Sequence, residues 1–306
     1  MVSSTRWLVV AFVLYGFCSA SFANPSLTIT GSDTLAPLVT QWLQDFKRSY
    51  PHLRVEMQST GSATVPTALA EGTVDFGVMS RQMTREELSE FKARRGFAPR
   101  AIPIARDALV VIVNKTNPIT RLSLDEIDRI FSANARCSGQ SIIHNWRHFE
   151  APKTDQWLAG PIDVFSRTAT SGSYGLFKAR VLCNGDFTAR AVEFEGFAAL
   201  VDSVANTSGG IGYTGLQWVN DKVKPLELSV FENTAPSLQS SHPDYPLTRD
   251  MFLYWAQPSG VRLSDIHCNF IQYSQSAQAQ AMVIKQGLSP IANPSTASQG
   301  DNDLCS

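Results

Sequence analysis

Three times along the chain a short apolar stretch runs into a turn rich in Ser, Thr and Gly, and each turn runs into apolar residues at helical spacing. The first unit is Leu27-Thr28-Ile29-Thr30, then Gly31-Ser32-Asp33-Thr34, then Leu35, Leu38, Val39, Trp42, Leu43 and Phe46. The second alternates Leu53, Val55 and Met57, turns at Ser59-Thr60-Gly61-Ser62 and continues with Val65, Ala68 and Leu69. The third begins at 162–165, turns over 166–173 and recurs at Tyr174, Phe177 and Val181. Alternation predicts strands and recurrence every three to four residues predicts helices, so the plan is α/β with hydroxyls at the helix amino termini.

Such a terminus has unpaired N–H groups and the positive end of the helix dipole, and a Gly beside Ser or Thr lets an anion approach closely. A single turn of this kind reads as an ordinary N-cap. Three of them predict an oxyanion cage. Arg167, in the third turn near Ser171, adds a guanidinium able to give an oxyanion two parallel hydrogen bonds.

Residues 74–79 and 108–113 read as buried strands, the latter without alternation, as in a sheet covered on both faces. Ser123 and Glu126 form a capping box ahead of Ile127, Ile130 and Phe131. A further helix opens at 196–200. Residues 134–160 are polar and read as an insertion tied down by Cys137, and 293–306 form a polar tail.

The start of the chain has a different logic. Residues 1–23 carry one charge, Arg6, then an apolar run, then small residues ending at Ala23. This is the order of a secretory signal peptide cleaved after Ala23, and the run is short for a membrane span. Cys18 raises a lipoprotein anchor as the alternative, which the bulky Phe17 before it disfavours. Export makes disulfides the expected fate of the four remaining cysteines, Cys137, Cys183, Cys268 and Cys305. Of three pairings, 137 with 183 and 268 with 305 each close a loop within one region. No C-x-x-C spacing suggests zinc or redox chemistry. With 26 Lys and Arg against 27 Asp and Glu, no basic excess exists for a nucleic-acid backbone. Cleavage leaves a net charge of about -2.

At this point the residues resemble a known family, the periplasmic phosphate-binding proteins that deliver ligand to ATP-driven importers. The resemblance runs in order through Thr-Gly-Ser-Asp-Thr (30–34), Gln-Ser-Thr-Gly-Ser (58–62), Gly-Thr-Val-Asp-Phe-Gly (72–77), Ala-Arg-Asp-Ala-Leu-Val-Val-Ile-Val-Asn (105–114) and Arg-Thr-Ala-Thr-Ser-Gly-Ser (167–173). It continues through Ile130, Phe131, Trp146, Gly-Gly-Ile-Gly-Tyr (209–213) and Ala-Met-Val-Ile-Lys-Gln-Gly (281–287). It implies a type II periplasmic-binding-protein fold, two α/β domains joined by two hinge crossovers with the ligand in the cleft. The implied domains are 25–104 with 227–306, and 105–226. The implied ligand is inorganic phosphate, the partner an ABC permease, the state a monomer, the place periplasmic or secreted; no cofactor or metal is expected.

By motif position, Ser32, Thr34 and the Leu35 N–H would contact phosphate from the first turn and Ser62 from the second. Arg167, Ser171, Gly172 and Ser173 would do so from the opposite domain. Some relatives carry Ala-Ser-Asp after the Asp-Phe-Gly strand, with a carboxylate that accepts the proton of hydrogenphosphate and repels sulfate. Here Ser80 and Arg81 stand near that place, so Asp107, with Asp33 behind it, becomes the candidate acceptor. The bland reading of Asp107 is an ion pair with Arg106 or Arg81.

Two other readings compete. A hydrolase would use Ser171 with His52, His144, His148, His242 or His267 as base, but no Gly-x-Ser-x-Gly elbow surrounds Ser171. The same fold could also hold sulfate, molybdate or tungstate, or serve as a sensor or adhesion factor.

Overall fold

The computed structural model describes residues 25–149, 160–229, 245–291 and Cys305. The signal segment with Cys18 and Ala23, His242, part of the 134–160 stretch and the polar tail apart from Cys305 lie outside the described residues. The chain runs β1 (Ser26–Gly31), α1 (Ala36–Ser49), β2 (Arg54–Gln58), α2 (Val65–Glu71), β3 (Phe76–Met79), α3 (Arg85–Arg95), β4 (Arg100–Asn114), β5 (Arg121–Ser123) and α4 (Leu124–Phe131). It continues through β6 (Asp163–Arg167), α5 (Gly172–Arg180), β7 (Val192–Phe194), α6 (Phe197–Asn206), β8 (Gly210–Gly215), β9 (Val223–Pro225), β10 (Glu227–Ser229), β11 (Thr248–Trp255), α7 (Asp265–Gln275) and α8 (Ala277–Lys285). The three expected strand-turn-helix units are β1–α1, β2–α2 and β6–α5. Among the described residues no helix is long and apolar enough to cross a membrane.

One sheet carries the strands in the order β2-β1-β3-β11-β4-β8-β6-β7, with β9 also pairing β4. Parallel pairs β1–β2, β1–β3 and β6–β8 are joined by crossovers through helices, while β11 returns antiparallel between β3 and β4. The strand read at 108–113 is the second half of a longer one. β4 spans 15 residues because it passes from one core into the other.

Those cores are distinct. One packs Leu27, Trp42, Phe76, Ile104, Leu253 and Phe270 with their neighbours; the other packs Val111, Phe131, Trp146, Phe177, Leu200 and Tyr213, and extends to Leu228, Tyr245 and Leu247. Among the described residues β4 runs from one core into the other and β11 starts beside the second, so the cores form two lobes. Each fully buried Leu or Phe side chain contributes about 1.5–3 kcal/mol to these cores. Each lobe also holds one disulfide, Cys137–Cys183 in the second and Cys268–Cys305 in the first, the pairing expected from the sequence.

The Gly-Thr-Val-Asp-Phe-Gly segment owes its Asp to sheet assembly. Thr28 on β1 donates its N–H (2.7 Å) and hydroxyl (2.9 Å) to Asp75 Oδ2, and His267 Nε2 lies 3.2 Å from Asp75 Oδ1. Burial pulls the Asp75 carboxyl upward, but His267 and the Thr28 donors together hold it below its ordinary value of 3.8. A carboxylate depressed in the folded state stabilises above its unfolded value and loses that contribution as pH falls through the folded one. Asp75→Asn is therefore expected to be less stable than wild type near about pH 6, with the gap closing towards about pH 2, as read by urea unfolding at each pH.

Candidate functional site

Gly31 ends β1 at φ 133, and a Cβ there would lie 2.1 Å from the Val78 carbonyl oxygen, so only Gly lets Ser32 N–H donate to that carbonyl at 2.8 Å. The chain then turns into α1 with Leu35 at the cap position and no side-chain cap. Leu35 N–H donates to the Ser32 carbonyl at 3.1 Å and Ala36 N–H to the Asp33 carbonyl at 3.3 Å. The main-chain donor expected at Leu35 is thus committed within the turn. The hydroxyls are not: Ser32 Oγ and Thr34 Oγ1 are buried without a hydrogen-bond partner. An N-cap explanation fails for them, because neither accepts from the helix it precedes.

The second turn likewise has no side-chain cap on α2. Ser62 Oγ instead accepts from Ser80 N–H at 3.0 Å and lies 3.3 Å from Ser80 Oγ. Only the third turn caps conventionally, with Ser171 Oγ accepting from Ser173 N–H at 3.2 Å. The turns meet one another directly: Gly61 N–H donates to the Gly31 carbonyl at 2.8 Å, and Ala63 N–H donates across the lobes to the Thr170 carbonyl at 3.1 Å. A Cβ on Gly172 would stand 2.4 Å from Ser80 Oγ and 2.5 Å from Ser62 Oγ. Glycine is what allows the amino terminus of α5 to rest on that serine pair.

Arg167, 1% exposed, bridges the lobes from the end of β6. Its Nη2 lies 2.8 Å from Asp33 Oδ2 and also donates to the Glu195 carbonyl, while Nε donates to the Phe194 carbonyl at 3.0 Å. The guanidinium sits 4.5 Å over the Phe197 ring. Burial lowers its pKa and Asp33 opposes that shift, yet an arginine stays charged. Its third nitrogen, Nη1, is buried with no partner. Tyr213, from the Gly-Gly-Ile-Gly-Tyr motif, fixes the strand beneath: its hydroxyl accepts from Arg167 N–H at 3.2 Å and lies 3.0 Å from Ser166 Oγ.

Asp107 has a different partner from those expected. Its Oδ2 accepts from Arg249 Nε (3.2 Å) and Nη2 (2.8 Å), and its Oδ1 from Ala108 N–H (2.8 Å). Burial pushes this carboxyl upward against the pull of Arg249. Both oxygens are engaged, so Asp107 does not stand open to a ligand. Arg249 Nη1 also donates to Ser173 Oγ at 2.7 Å, which ties the first turn of α5 to the strands between the lobes. Arg106 pairs instead with Asp250 at 2.7 Å and Arg81 with Glu87 at 2.6 Å. Arg81 is thus committed to an ion pair, whereas Ser80 lies against Ser62. Arg249 escaped the sequence reading. Its signal was the dipeptide Arg-Asp, present at 106–107 and again at 249–250, which an antiparallel register converts into two cross-strand pairs.

Among the described residues His144 contacts Arg190, at 2.7 Å, and His267 contacts Ser264 and Asp75, and no histidine hydrogen-bonds Ser171. No cluster of metal-ligating side chains occurs among them either.

Comparison with known proteins places this geometry in a lineage. Residues 19–278 match the PBP superfamily domain. The phosphate-binding protein PstS of Pseudomonas aeruginosa is 36% identical over 276 residues, covering 89% of this chain and 85% of that protein. A Clostridium perfringens structure described as a phosphate ABC transporter substrate-binding protein with bound phosphate superposes with a TM-score of 0.70 at 24% identity, covering 87% of this chain and all of that one. An ABC-type phosphate transport receptor from Vibrio cholerae gives 0.67 at 20%, with 86% and 99% covered. The chain belongs to the PBP superfamily and, within it, to the PstS family.

The Arg249–Asp107 pair yields a stability test. Arg249→Met leaves a buried carboxylate without its cation and is expected to lower unfolding stability by about 3–5 kcal/mol. Adding Asp107→Leu to that variant should restore most of the loss, measured by urea unfolding of the single and double variants.

Proposed function

We propose that this protein captures inorganic phosphate between its lobes and hands it to an ABC permease after export directed by residues 1–23. The observation that carries the reading is the set of buried, unpartnered donors at the meeting point of the turns: Ser32 Oγ, Thr34 Oγ1 and Arg167 Nη1. Buried polar atoms are ordinarily hydrogen-bonded, and leaving one unmade costs about 1–3 kcal/mol. Three such donors, carried by turns that touch one another directly, suit an oxyanion that arrives from outside. The PstS relative and the transport receptors sharing the fold support phosphate as that oxyanion and a permease as its destination.

In this reading Ser32, Thr34 and Arg167 hold the ligand, with Ser62, Ser80, Ser171, Gly172 and Ser173 completing the cage when the lobes separate and close around it. Asp107 being engaged by Arg249, Asp33 takes the role of acceptor for the phosphate proton. The hinge lies in β4 near 105–108 and at 247–248, so the second domain extends to Leu247, whose packing with Tyr245 in the second core argues for moving the boundary from 226. The protein acts as a periplasmic monomer without cofactor, binding rather than transforming its ligand.

Calorimetric titration of the mature protein, stripped of anion, with phosphate and separately with sulfate and molybdate tests this. Tight phosphate binding that excess sulfate does not disturb is the expected result; preference for sulfate or molybdate would reassign the ligand, and silence with every anion would overturn the reading. Arg167→Ala is expected to weaken phosphate binding by about 2–5 kcal/mol in the same assay. Asp33→Asn should erode discrimination against sulfate, read as the ratio of the two affinities, because an amide can donate where a carboxylate only accepts.

A further inference from the structure

Beside the two strands that pass between the cores, a cavity of about 560 Å3 opens between the lobes. Four guanidinium groups, those of Arg81, Arg106, Arg180 and Arg249, face it against one lining carboxylate, Asp250. Three have carboxylate partners, Glu87, Asp250 and Asp107 respectively for Arg81, Arg106 and Arg249. Arg180, on α5, donates to the Pro246 carbonyl at 3.2 Å and pairs with no carboxylate among the described residues. On the same wall Thr248 Oγ1 is buried without a hydrogen-bond partner. The space is thus cationic and holds an unmet hydroxyl.

Its size argues against a bare oxyanion. Small-molecule sites run to about 300–1,000 Å3, and a cavity of about 560 Å3 has room for an organic body as well as a charged head. Leu176 and Phe252 supply the apolar wall for such a body. The geometry points to a second ligand site, separate from the three-turn cage, for a phosphate ester of a small organic molecule. The phosphoryl group pairs with Arg180 and Arg106, since guanidinium forks match its oxygens, and the body lies along Leu176 and Phe252.

The walls come from both lobes: Arg180 and Leu176 from α5 of the second, Arg106 and Phe252 from strands whose neighbours pack in the first. A ligand that touches both favours their closed arrangement, and by linkage it raises affinity for the ligand of the cage, which reciprocates. That coupling, though not the site, rests on the phosphate reading above.

The test is calorimetric titration of phosphoenolpyruvate into protein already saturated with inorganic phosphate, with pyruvate, which keeps the carboxylate but lacks the phosphoryl group, as the control. One-to-one binding of the ester and none of pyruvate is expected. The exposed substitutions Arg106→Gln and Arg180→Gln, combined, should weaken the ester about tenfold or more, as expected on losing two guanidinium forks. Absence of ester binding, ester that simply displaces phosphate, or equal binding by the double variant would each overturn the proposal. If inorganic phosphate itself fails to bind, the cage reading falls, yet ester binding to wild type against the double variant still decides this one.

Discussion

The carboxylate of Asp107 and the guanidinium of Arg249 face each other across two antiparallel strands at the place where both leave one core for the other. Neither side chain is more than 2% exposed. Buried charges are tolerated when their hydrogen-bonding capacity is filled, and here it is: the carboxylate takes three donors and the guanidinium extends to Ser173. The pair therefore fixes three things at once, the register of the strands, the junction of the lobes and the start of α5. In the proposed cage the amino terminus of α5 is held from below, through Ser173, by a charge that does not itself meet the ligand.

Above that foundation the site works by withholding hydroxyls from their usual task. Ser and Thr ahead of a helix normally satisfy its open N–H groups. At α1 and α2 the cap residues offer no side-chain bond, and backbone turns satisfy part of the demand. The freed hydroxyls become donors, and Arg167, neutralised on one side by Asp33 and stacked on Phe197, keeps one nitrogen in reserve. Pairing each charge locally lets the cage carry cationic character without exposing it to water.

What could be read in the sequence was whatever depends on near neighbours. The three turns, Gly172, the capping box at Ser123 and the placement of Arg167 follow from periodicity and turn chemistry within a few residues. Asp107 shows where such reading ends. Its nearest arginine in sequence, Arg106, lies on the opposite face of the same strand, since successive side chains alternate, and so meets Asp250 while Asp107 meets Arg249. That choice is made by a strand 142 residues further on. Likewise, that Thr34 does not cap its helix depends on a one-residue shift of its start to Ala36, below the precision of any periodic pattern.

The position of β11 has a consequence for how the molecule comes into being. Among the described residues it is the last strand, yet it lies between β3 and β4 in the middle of the sheet, and the first core also needs α8, whose Ala279 carbonyl accepts from the Trp42 indole 237 residues away. Contacts so distant in sequence form slowly, because a long loop must close before they contribute. As the chain emerges from the ribosome, the second core can assemble from a continuous stretch, but the first, although begun earlier, stays open until α8 has appeared. The half made first is the half completed last.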